Sequence, residues 1–324
     1  MLVSVLLFAV GLVLLIKGGD WFVDGATGIA KRFNLPDIVV GATVVSIGTT
    51  LPEVMVSTTG ALAGSGAMAY GNAIGSIICN TALIAAISIT CNPGPVNVRS
   101  MKTPAIFFFG AAAMYCLAAY GLGTFPRWLG FIMLTVFVIY MVLTVRNGMK
   151  NPDAAAEEEE EESKPKALWQ ELLLLVVGAA VIAVGADLLV EHGQIIAIGL
   201  GVPETVVALL FVALGTSLPE LVTTITSLKK GRASLGVGNV IGANVFNLVL
   251  VSGVAVSLAP FDVPCENLLL DTGLTLSLVF DIPVMLLVMS LMIFPAFAKK
   301  KLGRWQGIAL LAIYAAFCVC QFML

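Results

Sequence analysis

Ten apolar runs, each about as long as a bilayer is thick, divide this chain: roughly 2–30, 36–63, 70–91, 104–122, 126–147, 168–196, 203–228, 234–258, 268–294 and 304–323. A helix needs roughly 20 apolar residues to cross the hydrocarbon core. The runs are continuous and do not alternate with period two, so they read as helices and not as barrel strands. Charged residues are 11% of the chain and hydrophobic ones 59%, whereas soluble proteins carry about 25% charged residues. A soluble globule of this size could not cover its surface with so few charges, and a disordered chain could not be so apolar. The expected fold class is therefore an all-α polytopic membrane protein with ten transmembrane helices. Nucleic acid is not an expected partner. The opening stretch MLVSVLLFAVGLVLLIKGGD lacks a basic leader and a small-residue cleavage site, so it reads as the first span. The six cysteines (79, 91, 116, 265, 318 and 320) lack metal-ligand spacing and read as reduced thiols.

Lysine and arginine set the expected orientation. With ten spans, fifteen of them fall on one side, Lys31, Arg99, Arg146, Lys229 and Lys299 among them. Only Arg127 falls on the other, and Lys17 sits inside the first span. The basic side is thus expected to be cytoplasmic, with both termini outside and the protein multi-pass in a cell (inner) membrane. Residues 149–167, with six consecutive glutamates from Glu157 to Glu162, are expected to be a solvated cytoplasmic linker.

The linker separates two related halves, 1–148 and 168–324. Shifted by 167 positions, residues 17–80 align with 184–247 without a gap, and twenty-one of the 64 positions are identical. Asp20 falls on Asp187, Glu53 on Glu220, Asn72 on Asn239 and Asn80 on Asn247. Five spans lie between the copies, so equivalent helices are expected to run in opposite directions. Such inverted five-helix repeats place a transporter's site at the midplane, between the halves.

Two motifs, 41–80 and 208–247, carry the chemistry. Each holds a Gly-Thr-(Thr/Ser)-Leu-Pro-Glu core in mid-span. A helical proline removes a donor and clashes with the carbonyl four residues back. Pro52 and Pro219 should thus free the carbonyls of Gly48 and Gly215 and break both helices, which is tolerable at membrane depth only beside a cavity or ion. Ser46, Thr49, Thr50 and Glu53 fall on one helical face, and Thr216, Ser217 and Glu220 repeat the pattern, Ala213 offering only its carbonyl. The next helices add Asn72, Ser76 and Asn80, matched by Asn239, Ala243 and Asn247. A carboxylate inside a membrane is costly and needs a compensating cation or proton. Carboxylates, carbonyls, hydroxyls and amides suit Ca²⁺ or Na⁺. No histidine or cysteine stripe accompanies them, which disfavours Zn²⁺ and Cu⁺.

With GTTLPE and GTSLPE followed by GNAIGSIICN and GNVIGANVFN, the chain resembles the sodium/calcium exchangers of the calcium/cation antiporter superfamily. The resemblance implies a transporter and not an enzyme, without a cofactor. It implies alternating access in which several Na⁺ exchange for one Ca²⁺, in a protein expected to work as a monomer in the lipid bilayer. Carried over by position, Glu53 and Glu220 would bridge Ca²⁺ with the backbone oxygens of Thr49 and Thr216. Flanking Na⁺ sites would use the Ser46 carbonyl and Thr50 on one side, and the Ala213 carbonyl, Ser217 and Ser76 on the other. Asn80 and Asn247 would line the middle. Ala243 stands where its mate is Ser76, which removes one hydroxyl ligand. Asn247 stands where potassium-dependent relatives have aspartate, which argues against K⁺ cotransport. The alternative reading is a H⁺/Ca²⁺ antiporter of the same fold. An intramembrane protease would need catalytic aspartyl motifs and would not require a duplicated one, and a passive channel would show single-channel currents. Lys17 is expected to pair with Asp20 one turn away or to snorkel, and His192 is expected to be solvated.

Overall fold

The computed structural model describes residues 2–150, 167–200, 215–264, 275 and 277–323. Its helices are α1 (Leu2–Arg32), α2 (Asp37–Thr49), α3 (Leu51–Leu62), α4 (Gly66–Cys91), α5 (Val98–Leu122) and α6 (Arg127–Met149). After the linker come α7 (Leu168–Gly199), α8 (Leu218–Lys229), α9 (Ala233–Leu258), α10 (Ser277–Lys299) and α11 (Arg304–Met323). Eight of these described helices are long and apolar enough to cross a membrane, and the bent pair α2–α3 makes a ninth candidate. The expected seventh span begins outside the described residues, and α8 lies within its later part.

Burial sorts the helices. The apolar stretch of α9 is 83% buried and that of α4 is 72%, against 28% in α1 and 22% in α7. Helices α4 and α9 therefore form the centre. The others present leucine, valine, isoleucine and phenylalanine outward, such as Leu6, Val13, Phe131 and Val176. That is the arrangement a lipid solvent favours.

Helices α1 and α7 cross closely and run antiparallel. Gly11 meets Gly185, Gly18 meets Gly178 and Ile182, and Gly25 meets Glu171 and Leu175. A Cβ on Gly178 would lie 2.5 Å from the Phe22 nitrogen and 2.9 Å from the Gly18 carbonyl. Glycines here let two backbones touch, as small residues do between membrane helices.

Four interhelical ion pairs gather where α1 and α8 end and α2 and α7 begin. Arg32 meets Glu171 at 3.1 Å, and Arg232 meets Asp37 at 3.3 Å. Lys230 meets Asp24 at 2.6 Å and Asp20 at 3.8 Å, and also donates to the Asp20 carbonyl. We call this the basic end. Asp20 is thus reached by Lys230, 210 residues away, and not by Lys17, which points outward from α1. His192 is also corrected: it is 9% exposed, with its Nδ1 unpartnered among the described residues.

Two short antiparallel ladders tie the loops. β1 (Gly94–Pro95) pairs with β4 (Lys301–Leu302), and β2 (Thr124–Phe125) pairs with β3 (Phe261–Asp262). Several helices contain a π turn, among them Gly41–Val45 in α2, Asn80–Ala85 in α4 and Asn247–Val251 in α9. Such turns cluster at functional sites. The turn in α2 is braced by the buried Tyr140 hydroxyl, which donates to the Ala42 carbonyl at 2.7 Å. All five described cysteines are free.

Candidate functional site

The prolines act at the starts of α3 and α8, where Pro52 and Pro219 occupy the first turn. There a missing N–H costs nothing, because helix starts leave those donors unused. The chain bends by 46° between α2 and α3. The break falls on Thr50, at φ −86° and ψ 0°, and Ser217 before α8 repeats it at −89° and 4°. Both lie in the sparsely populated bridge region. The far ends of α3 and α8 also match, turning on Gly64 and Gly231 at φ +84° and +71°. Glycine enters this left-handed region without a steric penalty.

Both breaks deliver a glutamate to the protein interior. Glu53 and Glu220 are fully buried. Glu220 Oε1 accepts a long hydrogen bond from Thr50 at 3.5 Å. Among the described residues, Glu53 Oε1 and Oε2 and Glu220 Oε2 accept none.

The surrounding polar groups link the halves reciprocally. Thr49 donates to Asn239 Oδ1 at 3.1 Å, and Thr216 donates to Asn72 Oδ1 at 3.4 Å. Each bond is the image of the other under the 167-residue shift. Asn72 also donates to the Glu53 carbonyl at 3.3 Å and to Ser57 at 2.8 Å. The Ser46 hydroxyl donates to Gly41, and to the carbonyl and side chain of Asn239. The Ser46 carbonyl accepts the Thr50 N–H at 3.0 Å, leaving one lone pair.

Sequence reasoning placed Asn72 and Asn239 on polar faces without assigning them a site role. Here they fix the threonines beside both glutamates, and their recurrence in both Gly-Asn pairs was the available signal. Asn80 and Asn247 open the π turns of α4 and α9, fully buried, with no hydrogen-bond partner for either amide among the described residues. Ser217 is likewise buried and unpartnered, and Ser76 is buried. Ala213 lies outside the described residues. No described group of three or more His, Cys, Asp or Glu could hold a metal, so the acidic part of the described site is the pair of glutamates.

A cavity of about 1070 Å³ runs along α7 from Leu175 to Gln194 and reaches Thr49, Pro52, Thr216 and Pro219. Its walls are mainly apolar, with Asp187, Glu191 and Gln194 toward the α7 end away from the basic end. It brings the glutamate-bearing breaks within reach of the molecule's exterior.

The sequence matches the sodium/calcium exchanger protein family over residues 3–146 and 171–323. The chain belongs to the sodium/calcium exchanger family. It is 35% identical over 308 residues to a membrane protein of Methanocaldococcus jannaschii, covering 95% of this chain and 94% of that one. It is 29% identical over 355 residues to the sodium/calcium exchanger MaX1 of Methanosarcina acetivorans, covering 99% of each. Its fold is similar to the sodium-calcium exchanger NCX_Mj soaked with Na⁺ and Sr²⁺, with a TM-score of 0.80 and 31% identity over 98% of both chains. The protein is thus a membrane antiporter of the exchanger family, with Na⁺ and Ca²⁺ as the family's ions. The buried glutamates stand in the two segments that suggested the family from sequence.

Proposed function

We propose that this exchanger moves Ca²⁺ against Na⁺, without K⁺, by alternating access to one site shared by two inverted five-helix halves, 1–148 and 168–324. The observation that carries this reading is the pair of fully buried glutamates, with three carboxylate oxygens that take no hydrogen bond from the described residues. Buried charge without compensation costs several kcal/mol or more. A Ca²⁺ ion offsets both carboxylates at once, and two Na⁺ do the same. The ions compete for one oxygen set, so binding of one kind favours release of the other. A neutralised site can be enclosed while the halves change access, whereas an empty one bears the full repulsion of the two acids.

The binding roles proposed are those that the family resemblance implies. Glu53 and Glu220 are the Ca²⁺ ligands, joined by the backbone oxygens of Thr49 and Thr216. Thr50 and the Ser46 carbonyl serve Na⁺ on one side. Ser217, Ser76 and the Ala213 carbonyl serve it on the other, with Asn80 and Asn247 between. Support for the inverted repeat comes from the antiparallel crossing of α1 with its mate α7, and from the mirrored Thr–Asn bonds. The positive-inside rule makes the basic end cytoplasmic, in a cell membrane, with the acidic linker on the same side and both termini outside. The cavity along α7 then serves the outer side.

Purified protein in Na⁺-loaded liposomes should take up radioactive Ca²⁺ from a Na⁺-free medium, with no need for K⁺. Uptake that needs a pH gradient and ignores Na⁺ would transfer the reading to H⁺/Ca²⁺ antiport, which protonation of the unpartnered Glu53 oxygens would serve. Asn239→Ala removes the side-chain oxygen that accepts from Thr49, and one of the three acceptors of Ser46, and should cut uptake about tenfold, the scale of a lost buried hydrogen bond. Uptake within twofold of wild type would deny Asn239 its positioning role.

A further inference from the structure

Helix α8 carries a second polar line that exchange at the glutamates does not use. Glu220, Thr223, Thr224 and Ser227 lie at i, i+3, i+4 and i+7. They share one helix face, which runs from the site toward the basic end over about 10 Å. Thr223 and Ser227 are fully buried, and Thr224 is 2% exposed with its backbone and methyl group against Gly236 of α9. None of the three hydroxyls has a hydrogen-bond partner among the described residues.

Four other threonines in these helices behave differently, although Thr58 and Thr144 are also unpartnered among the described residues. Thr43, Thr59, Thr90 and Thr135 each donate to the carbonyl four residues earlier, at 2.7 to 2.8 Å. A helical Ser or Thr normally has that acceptor within reach. Packing on α8 therefore turns three hydroxyls away from their default acceptors, and an unmatched buried hydroxyl is costly. The other half of the molecule differs. Positions 167 residues earlier hold Val56, Ser57 and Gly60, and the Ser57 hydroxyl is met by the Asn72 amide. Beyond Ser227, the helix ends at Lys230, drawn onto Asp20 and Asp24 of α1. Among the described residues, the α8 face carries three unpartnered hydroxyls between its glutamate and the basic end, where the matching face of α3 carries one, already met by Asn72.

We propose that Thr223, Thr224 and Ser227 form the inner leg of the ion route, along which Na⁺ and Ca²⁺ pass between Glu220 and the basic end. This rests on the exchange reading and names the path by which that site is filled and emptied. Hard cations accept hydroxyl oxygens in place of water. Neutral ligands hold them weakly enough for the ions to move on, as a conducting path requires. The carboxylates of Asp20 and Asp24 stand at the mouth of the path, held by Lys230 in the arrangement seen here.

The test uses the full chain in membrane vesicles sorted by orientation, with Na⁺ titrated separately on each side during Ca²⁺ exchange. In a variant combining Thr223→Val, Thr224→Val and Ser227→Ala, half-saturating Na⁺ at the basic end, divided by that at the opposite end, should rise about tenfold. Thr223→Ser with Thr224→Ser keeps the oxygens and should restore the wild-type ratio. A merely structural role would disturb both sides alike. If wild type exchanges normally and the triple variant's ratio stays within twofold, the path is overturned while the exchange reading stands. If wild type shows no Na⁺-driven exchange, the exchange reading falls and the path with it. Should the triple variant not fold, Thr223→Val and Thr224→Val are read singly, each expected near threefold. No shift in either overturns the path.

Discussion

Glu53→Gln and Glu220→Gln should each reduce Na⁺-driven Ca²⁺ uptake by about two orders of magnitude or more. Each change keeps the shape of the side chain and removes one negative charge from a fully buried position. A single remaining carboxylate cannot neutralise Ca²⁺, so the occupied site would carry excess positive charge in a dry interior. The same substitutions should not unfold the protein. In ion-free detergent a buried charge without a partner is costly, and replacing one acid removes such a charge, so the melting temperature should hold or rise. Added Ca²⁺ separates the variants from wild type. A ligand at a hundred times its dissociation constant stabilises the folded state by about 2.7 kcal/mol, and this gain should appear in wild type and vanish in both variants. A variant that transports and is stabilised like wild type would remove that glutamate from the site.

Gly178→Val is expected to have the next largest effect. The added Cβ meets the nitrogen and Cα of Phe22 at 2.5 and 2.8 Å, and the Gly18 carbonyl at 2.9 Å. These are backbone atoms and cannot swing aside, so α1 and α7 must separate along their crossing. Overpacking of this kind costs about 1–3 kcal/mol or more, and exchange should fall more than tenfold as the crossing above the cavity is forced open. Gly110→Val is the control. A Cβ there meets nothing within 4 Å, and both stability and transport should stay near wild type. Equal behaviour of the two variants would mean that the close crossing plays no part.

Much of the architecture was legible because a membrane enforces simple rules. Unbroken apolar runs announced the helices, and Pro52 and Pro219, each close behind a Gly-Thr pair, announced the breaks, although Pro104 and Pro295 are carried inside α5 and α10. The glutamates stood out because charge is rare at that depth. What escaped notice depends on partners distant in sequence. One-turn spacing suggested Lys17 for Asp20, yet helix direction leaves Lys17 outside and brings Lys230 across from α8. His192 read as solvated from its place near a helix end, whereas it is buried. The Thr49–Asn239 and Thr216–Asn72 bonds join residues that only the packing of the halves brings together. Nothing in NTALIA or NLVLV distinguishes a π turn from an α turn by composition.

Those last turns make helix length as constrained as helix sequence. A π turn accommodates one residue more than the α turn it replaces. Deleting a single residue from 81–85 or 248–251 would return the helix to even winding with its flanks still in phase, whereas a deletion from the regular winding outside those turns would rotate one flank against the other by about 100°. Asn80 or Asn247 would then swing out of the interior, although every amide, acid and hydroxyl named above were still encoded. The central pair α4 and α9 should accordingly accept many exchanges of one apolar residue for another, but no insertion or deletion in their regular α turns.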